Sequence, residues 1–198
     1  MVVSLTDIAP ERIRPLLRAE YDQLVEQGAF ESERVELLEG ALVTMTPQDA
    51  AHAHTVQRLG ESLTVALRGL AIVRVQSPLA LLDDSEPEPD LAVVPLGDYS
   101  LSHPTTAHLV VEVSSSSLRR DRLVKGPIYA RAGIEEYWVL DLGDRSADVH
   151  RHPDAGQYTQ VVRVDDHGRI QLLRFPDVGV SMRDVLPTAG HLGLSDMG

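Results

Sequence analysis

Two segments, EPDLAVV at 88–94 and HLVVEVSSSS at 108–117, decide how this chain folds. Both are short, solid apolar runs bounded by Pro, His or Ser. Runs of this kind, such as Leu109-Val110-Val111, predict strands buried on both faces of a sheet. Each also carries one acid where an acid is costly. Asp90 directly follows Pro89 at the entrance of the first strand, and Glu112 lies near the far end of the second, otherwise wholly apolar from Leu109 to Val113. Two carboxylates on neighbouring core strands call for something cationic between them. A hard divalent cation, held by carboxylate oxygens and a backbone carbonyl, meets that need. The plainer readings are a capping aspartate at Asp90 and, at Glu112, a strand alternating out to water.

Outward from these strands, the pattern predicts one α/β domain over 1–198, with its core at about 15–186 and a loose polar tail at 187–198. Apolar residues at Leu16, Leu17, Tyr21, Leu24 and Val25 give the three-four spacing of a half-buried helix that Gly28 ends. RVELLEGALVTM (34–45) reads as two strands turning at Glu39-Gly40. A long helix follows Pro47 to about Gly69, with Val56, Leu59, Leu63, Ala66, Leu67 and Leu70 on its apolar face; His52 extends that face and His54 does not. LAIVRVQ (70–76) and PLALL (78–82) read as further strands, and LRRDRLVKGPIYARAG (118–133) as a helix closed by Gly133. EYWVLDL, SADVHRH, QYTQVVRV and RIQLLRF then form an antiparallel run, before a short helix after residue 180.

Composition narrows the chemistry. The 198 residues contain no cysteine, which excludes disulfides, zinc knuckles and thiol nucleophiles. No apolar stretch approaches the roughly 20 residues of a membrane helix. The opening MVVSLTDIAPERIR lacks the order of a secretory signal, so the expected location is cytoplasmic. Thirty acidic residues against 18 basic ones give a net charge of -12, which opposes binding to a polyanion unless positive charge is clustered. Such a cluster exists between Arg119 and Arg131, where four arginines and one lysine face the single acid Asp121. Lys125 is the chain's only lysine beside 17 arginines, either by chance of composition or because a compact ammonium is needed there.

Taken together, VELLEG (35–40), EPDLAVV (88–94), LVVEVSSSSLRRDRLVK (109–125) and YARAGIEEYWVLDL (129–142) resemble the PD-(D/E)XK, or restriction-endonuclease-like, nuclease superfamily. They resemble most closely its bacterial Uma-two family. The resemblance implies a mixed central β-sheet flanked by helices, with additional antiparallel strands. It implies that Asp90, Glu112 and the backbone carbonyl of Val113 ligate Mg2+ or Mn2+, and that Glu36 assists the metal or its waters, unless Glu36 is an ordinary surface acid. In the superfamily a lysine usually stands two positions after the glutamate; here that position is Ser114, and Lys125 on the following helix takes the role. The implied catalytic set is therefore Asp90, Glu112, Lys125 and Glu36. The activity implied is metal-dependent hydrolysis of phosphodiester bonds in nucleic acid, DNA in the first instance, by a possible homodimer.

Some assignments stay open at this level. Gly126-Pro127 interrupts the predicted helix: it is kinked there, or Pro127 lies in a first turn with Lys125 just ahead of it. Arg119, Arg120 and Arg122 either contact phosphates or form a solvated cationic stretch. His52 stands near the site or is a buried, hydrogen-bonded histidine. Tyr129, Tyr137 and Trp138 read as core, Asp141 as structural, and His150 and His152 lack a third ligand for zinc. Ser114 and the acidic charge favour the alternative of a catalytically degenerate module that binds nucleic acid or a protein partner. A hydrolase of smaller phosphate esters is the third option.

Overall fold

The computed structural model describes residues 14–188; the opening segment and most of the expected polar tail lie outside the described residues. Helix α1 (Arg18–Glu26) leads into a hairpin of β1 (Val35–Leu38) and β2 (Ala41–Thr44). Glu39 and Gly40 both take positive φ, 50° and 77°, the mirror-image turn whose twist matches two antiparallel strands. Asp49 caps α2 (Ala50–Ala66) by accepting from the backbone N–H of His52. Val56, Leu59, Leu63 and Leu67 are buried as their spacing requires, whereas Ala66 and Leu70 face solvent.

A six-stranded mixed sheet forms the centre, in the order β3 (Ile72–Val75), β4 (Leu91–Val94), β5 (Leu109–Ser114), β6 (Glu136–Asp141), β7 (Ser146–Asp154) and β8 (Gln157–Val164). Only β5 and β6 run parallel; the helical segment between them supplies the crossover that parallel strands need. The restriction-endonuclease-like mixed sheet with flanking helices and extra antiparallel strands is therefore present. Every residue of β4, β5 and β6 is buried. Along β4 and β5, Leu91, Val93, Leu109, Val111 and Val113 meet α2 on one face. Ala92, Val94 and Val110 meet Tyr129, Tyr137 and Val139 on the other.

Three expectations need correction. PLALL is no strand: Leu79 and Ala80 are buried, but their N–H groups go to the carbonyls of Pro87 and Pro104 in loops. An apolar run between Pro78 and Asp83-Asp84 can be core without having a sheet neighbour. RIQLLRF does not extend the antiparallel run either. Its first residues form β9 (Arg169–Gln171), which pairs with β10 (Gly179–Ser181) in a separate ribbon ahead of α5 (Met182–Val185). Finally, the helix predicted over 118–133 has three parts: α3 (Leu118–Arg120), a π-helical turn (Asp121–Lys125) and α4 (Gly126–Arg131).

The π turn resolves the proline conflict. The N–H of Gly126 reaches five residues back to the carbonyl of Asp121, widening the coil just before the residue that has no N–H to give. Pro127 then sits in the first turn of α4, where proline is tolerated, and the chain stays helical throughout.

Candidate active site

Register brings the two acids together. Leu91 is opposite Val111 and Val75 is opposite Leu91 in their antiparallel pairs, so one step further along Gln76, Asp90 and Glu112 form a row across the sheet's rim. Residues opposite each other point to the same face. Asp90 and Glu112 accordingly line one small polar cleft of about 70 Å³, together with His52, Val113, Ser117, Lys125 and the loop 45–48.

Asp90 is held from several directions. Its Oδ2 accepts from the backbone N–H of Val113 at 2.8 Å and lies 3.1 Å from His52 Nε2; its Oδ1 accepts from Gln76 Nε2 at 3.4 Å. Burial alone would push the His52 imidazole down, but the hydrogen bond and charge of Asp90 outweigh it and hold the ring above its ordinary value. Both sequence readings of His52 are thus met at once: it is buried, and it touches the site.

Glu112 is only 4% exposed, and its Oε1 accepts from Lys125 Nζ at 2.9 Å and from the Tyr129 hydroxyl at 2.7 Å. Burial pushes the Glu112 carboxyl up, and the neighbouring ammonium pulls it part of the way back. Lys125 also lies 2.9 Å from Glu36 Oε2, so its one ammonium spans two buried carboxylates. Burial works against the charge on Lys125, but Glu112 and Glu36 prevail and raise its pKa above the usual lysine value. Glu36 is 1% exposed, which removes the surface-acid reading; its Oε2 also accepts from the backbone N–H of Glu88. Glu36 Oε1 and His52 Nδ1 are buried without a hydrogen-bond partner beside the cleft.

The structure therefore gathers Asp90, Glu112, Lys125 and Glu36 into one constellation. Arg122 is not part of it: its guanidinium binds Asp148 on β7, 2.9 Å from Nε, with Asp141 3.8 Å away. Arg120 lines the cleft, and Arg119 lines the depression beside it. His150 packs against Tyr137 and Tyr158 instead of a metal partner. Two members of the site were not assigned to it from sequence, Tyr129 and Asp121. Burial keeps the Tyr129 hydroxyl protonated as a donor, and buried Asp121 accepts from Ser117 Oγ at 2.6 Å. The spacing Asp121, Lys125, Tyr129 was the available signal, since residues four apart share a helix face.

The donor set suits a hard cation. Both ligands on Oε1 of Glu112 are hydrogen-bond donors of the protein, and Oε2 takes no hydrogen bond among the described residues. No cluster of three or more His, Cys, Asp or Glu side chains with metal-holding geometry occurs among the described residues. Two carboxylates and a backbone carbonyl match Mg2+ better than zinc, because Mg2+ takes one or two carboxylates and keeps several waters.

A mixed sheet with two acids meeting at the rim, backed by a lysine on the crossover helix, is the arrangement of a nuclease-like α/β protein. The fold recurs in a crystallised protein of Anabaena variabilis ATCC 29413, described as a "putative nuclease belonging to DUF820": the TM-score is 0.67 at 13% identity, over 86% of this chain and 97% of that one. No functionally curated protein matches the chain significantly. The model of the Uma2 family, described as "Putative restriction endonuclease", matches residues 18–183, and the chain belongs to that family.

Proposed function

We propose that this protein is a divalent-metal-dependent nuclease that hydrolyses phosphodiester bonds of nucleic acid. One observation carries the reading: Asp90 and Glu112 open into the same cleft from neighbouring strands, with Lys125 on the far oxygen of Glu112. Family membership supports the nuclease class. Asp90, Glu112 and the Val113 carbonyl would hold Mg2+ or Mn2+, which when bound supplies Lewis acidity toward the phosphodiester and a water of lowered pKa. The chain's own part is preorganisation. His52, Gln76 and the Val113 N–H fix Asp90, while Lys125 and Tyr129 fix Glu112 and leave Oε2 toward the cleft. Lys125 lines the cleft and places a permanent positive charge where the phosphoryl oxygens gain negative charge. Glu36 holds that ammonium in place from behind.

The second reading, a non-catalytic binding module, is favoured by one observation: the protein already satisfies Glu112 Oε1 internally, and among the described residues no three His, Cys, Asp or Glu side chains are grouped to hold a cation. Cleavage of single- and double-stranded DNA and RNA with Mg2+ or Mn2+ tests the proposal against it. Wild type is expected to cut at least one substrate and Glu112→Ala none. Cleavage that survives Glu112→Ala refutes the assigned role, and calorimetry showing no Mn2+ binding dependent on Glu112 selects the second reading.

A further inference from the structure

The cleft opens into a second depression. A groove of about 500 Å³ is lined by Thr46, Ser116, Ser117, Arg119, Arg120, Leu123 and Val124, and it shares Thr46, Ser116, Ser117 and Arg120 with the mouth of the cleft or its walls. The basic segment supplies its charge selectively. Of the five cations between Arg119 and Arg131, Arg122 is bound to Asp148, Arg131 to Glu39, and Lys125 is enclosed by Glu36 and Glu112. Arg119 and Arg120 are the two left over. Arg119 makes no ion pair among the described residues, and Arg120 comes only within 4.0 Å of Asp121, while its buried Nε has no hydrogen-bond partner. In a chain of net charge -12, the two cations of this segment that no carboxylate holds at hydrogen-bond distance both line one groove.

The floor is apolar for a reason traceable to the helix. The π turn directs Lys125 inward, and Leu123, two residues earlier, is left 64% exposed beside half-buried Val124. A groove lined by two guanidinium groups that no carboxylate holds at hydrogen-bond distance, three hydroxyl side chains, exposed Leu123 and half-buried Val124 suits a nucleotide: phosphate on the arginines, base face against Leu123. A paired base would keep its face in the stack and could not use that floor.

We propose that this groove seats the unpaired nucleotide next to the scissile phosphate, with Arg119 and Arg120 as its phosphate contacts and Leu123 as the platform for its base. The assignment rests on the nuclease reading for what lies in the adjoining cleft, but it makes its own demand, a preference for single-stranded nucleic acid that requires no chemistry.

Fluorescence anisotropy with labelled oligothymidylate and a blunt DNA duplex of equal length, in EDTA so that nothing is cut, tests it. Wild type should bind the single strand more tightly. Arg119→Gln/Arg120→Gln should weaken that binding by about tenfold or more and lower the slope of log affinity against log salt by about 1.4, the loss of two phosphate contacts. Leu123→Ser should narrow the preference for single strand over duplex with the salt slope unchanged. Thermal melting checks that both variants fold. Equal affinity of the double variant and wild type, tighter binding of duplex, or no binding of oligothymidylate by wild type each overturns the proposal. Mn2+ calorimetry separates the two readings: Glu112-dependent Mn2+ binding with arginine-independent oligonucleotide binding removes the groove alone. Arginine-dependent oligonucleotide binding without Mn2+ binding removes the metal-dependent nuclease and leaves the groove.

Discussion

Lys125 shows how much one side chain can be asked to do. Its ammonium is 2% exposed and bridges two buried carboxylates, so removing it leaves two acids with no cation in a medium that penalises each. Lys125→Met is expected to cost about 3–5 kcal/mol, read as a lowered urea midpoint, together with loss of nuclease activity. An unchanged midpoint would show that the two carboxylates do not depend on this cation. A different acid governs the pH dependence of folding. Burial, then the charge of Asp22, raises Glu86 to about 7. The folded chain holds this proton more tightly than the unfolded one, so the associated stability is complete below the ordinary carboxylate range. It is lost as pH rises through about 7. Glu86→Gln should flatten that decline and raise stability above pH 7, by up to about 3 kcal/mol; urea titrations of both proteins at pH 5 and 8 measure it. Asp90, Glu112 and Lys125 were legible in the sequence as residue types out of keeping with their surroundings. The partner of Arg122 was not, because Asp148 lies 26 positions away on a strand that only the sheet brings near.

At the level of elements, the site depends on a hairpin and a widened helix. The β1–β2 hairpin delivers Glu36, and its turn needs Gly40: φ is +77°, and a Cβ there would come 2.2 Å from the Cβ of Pro15. Gly40→Ala should therefore destabilise by more than about 1 kcal/mol and impair cleavage through displaced Glu36. By contrast, Gly126 has ordinary helical angles, and a Cβ would find its nearest neighbours at 3.5 and 3.6 Å. Gly126→Ala should be tolerated or slightly stabilising, and paired thermal melts distinguish the two positions. The hairpin was readable because Gly40 separates two short apolar runs, although Glu39 is not the Asn or Asp that its positive φ favours. The π turn was not: Gly126-Pro127 announces a break but does not say how the chain absorbs it. Tyr129 is core, as its apolar helix led one to expect, but that its hydroxyl also reaches Glu112 depends on how the helix is set against β5.

At the scale of the whole molecule, the central strands β4, β5 and β6 are covered on both faces, with α2 and α5 on one side and α4 on the other, while β8 stays largely exposed. Leu63 is fully buried at the centre of the first layer, and truncation there leaves a cavity that neighbours fill only partly. Leu63→Ala is expected to cost about 2–5 kcal/mol, with unfolding still a single transition when followed by fluorescence of Trp138 and by circular dichroism. Separate transitions would show that the two layers fold independently. The sequence by itself determined that 91–94 and 109–114 are buried strands and that Asp90 and Glu112 sit awkwardly on them, because hydrophobic period and the cost of a buried charge are local properties of the chain. It could not determine that PLALL is core without being sheet, that RIQLLRF pairs elsewhere, or which arginines stay free. Those outcomes depend on who lies next to whom across the sheet, and strand order is set by the closing of the whole core. Only there do Asp90 and Glu112, 22 positions apart, become neighbours with Lys125 behind them.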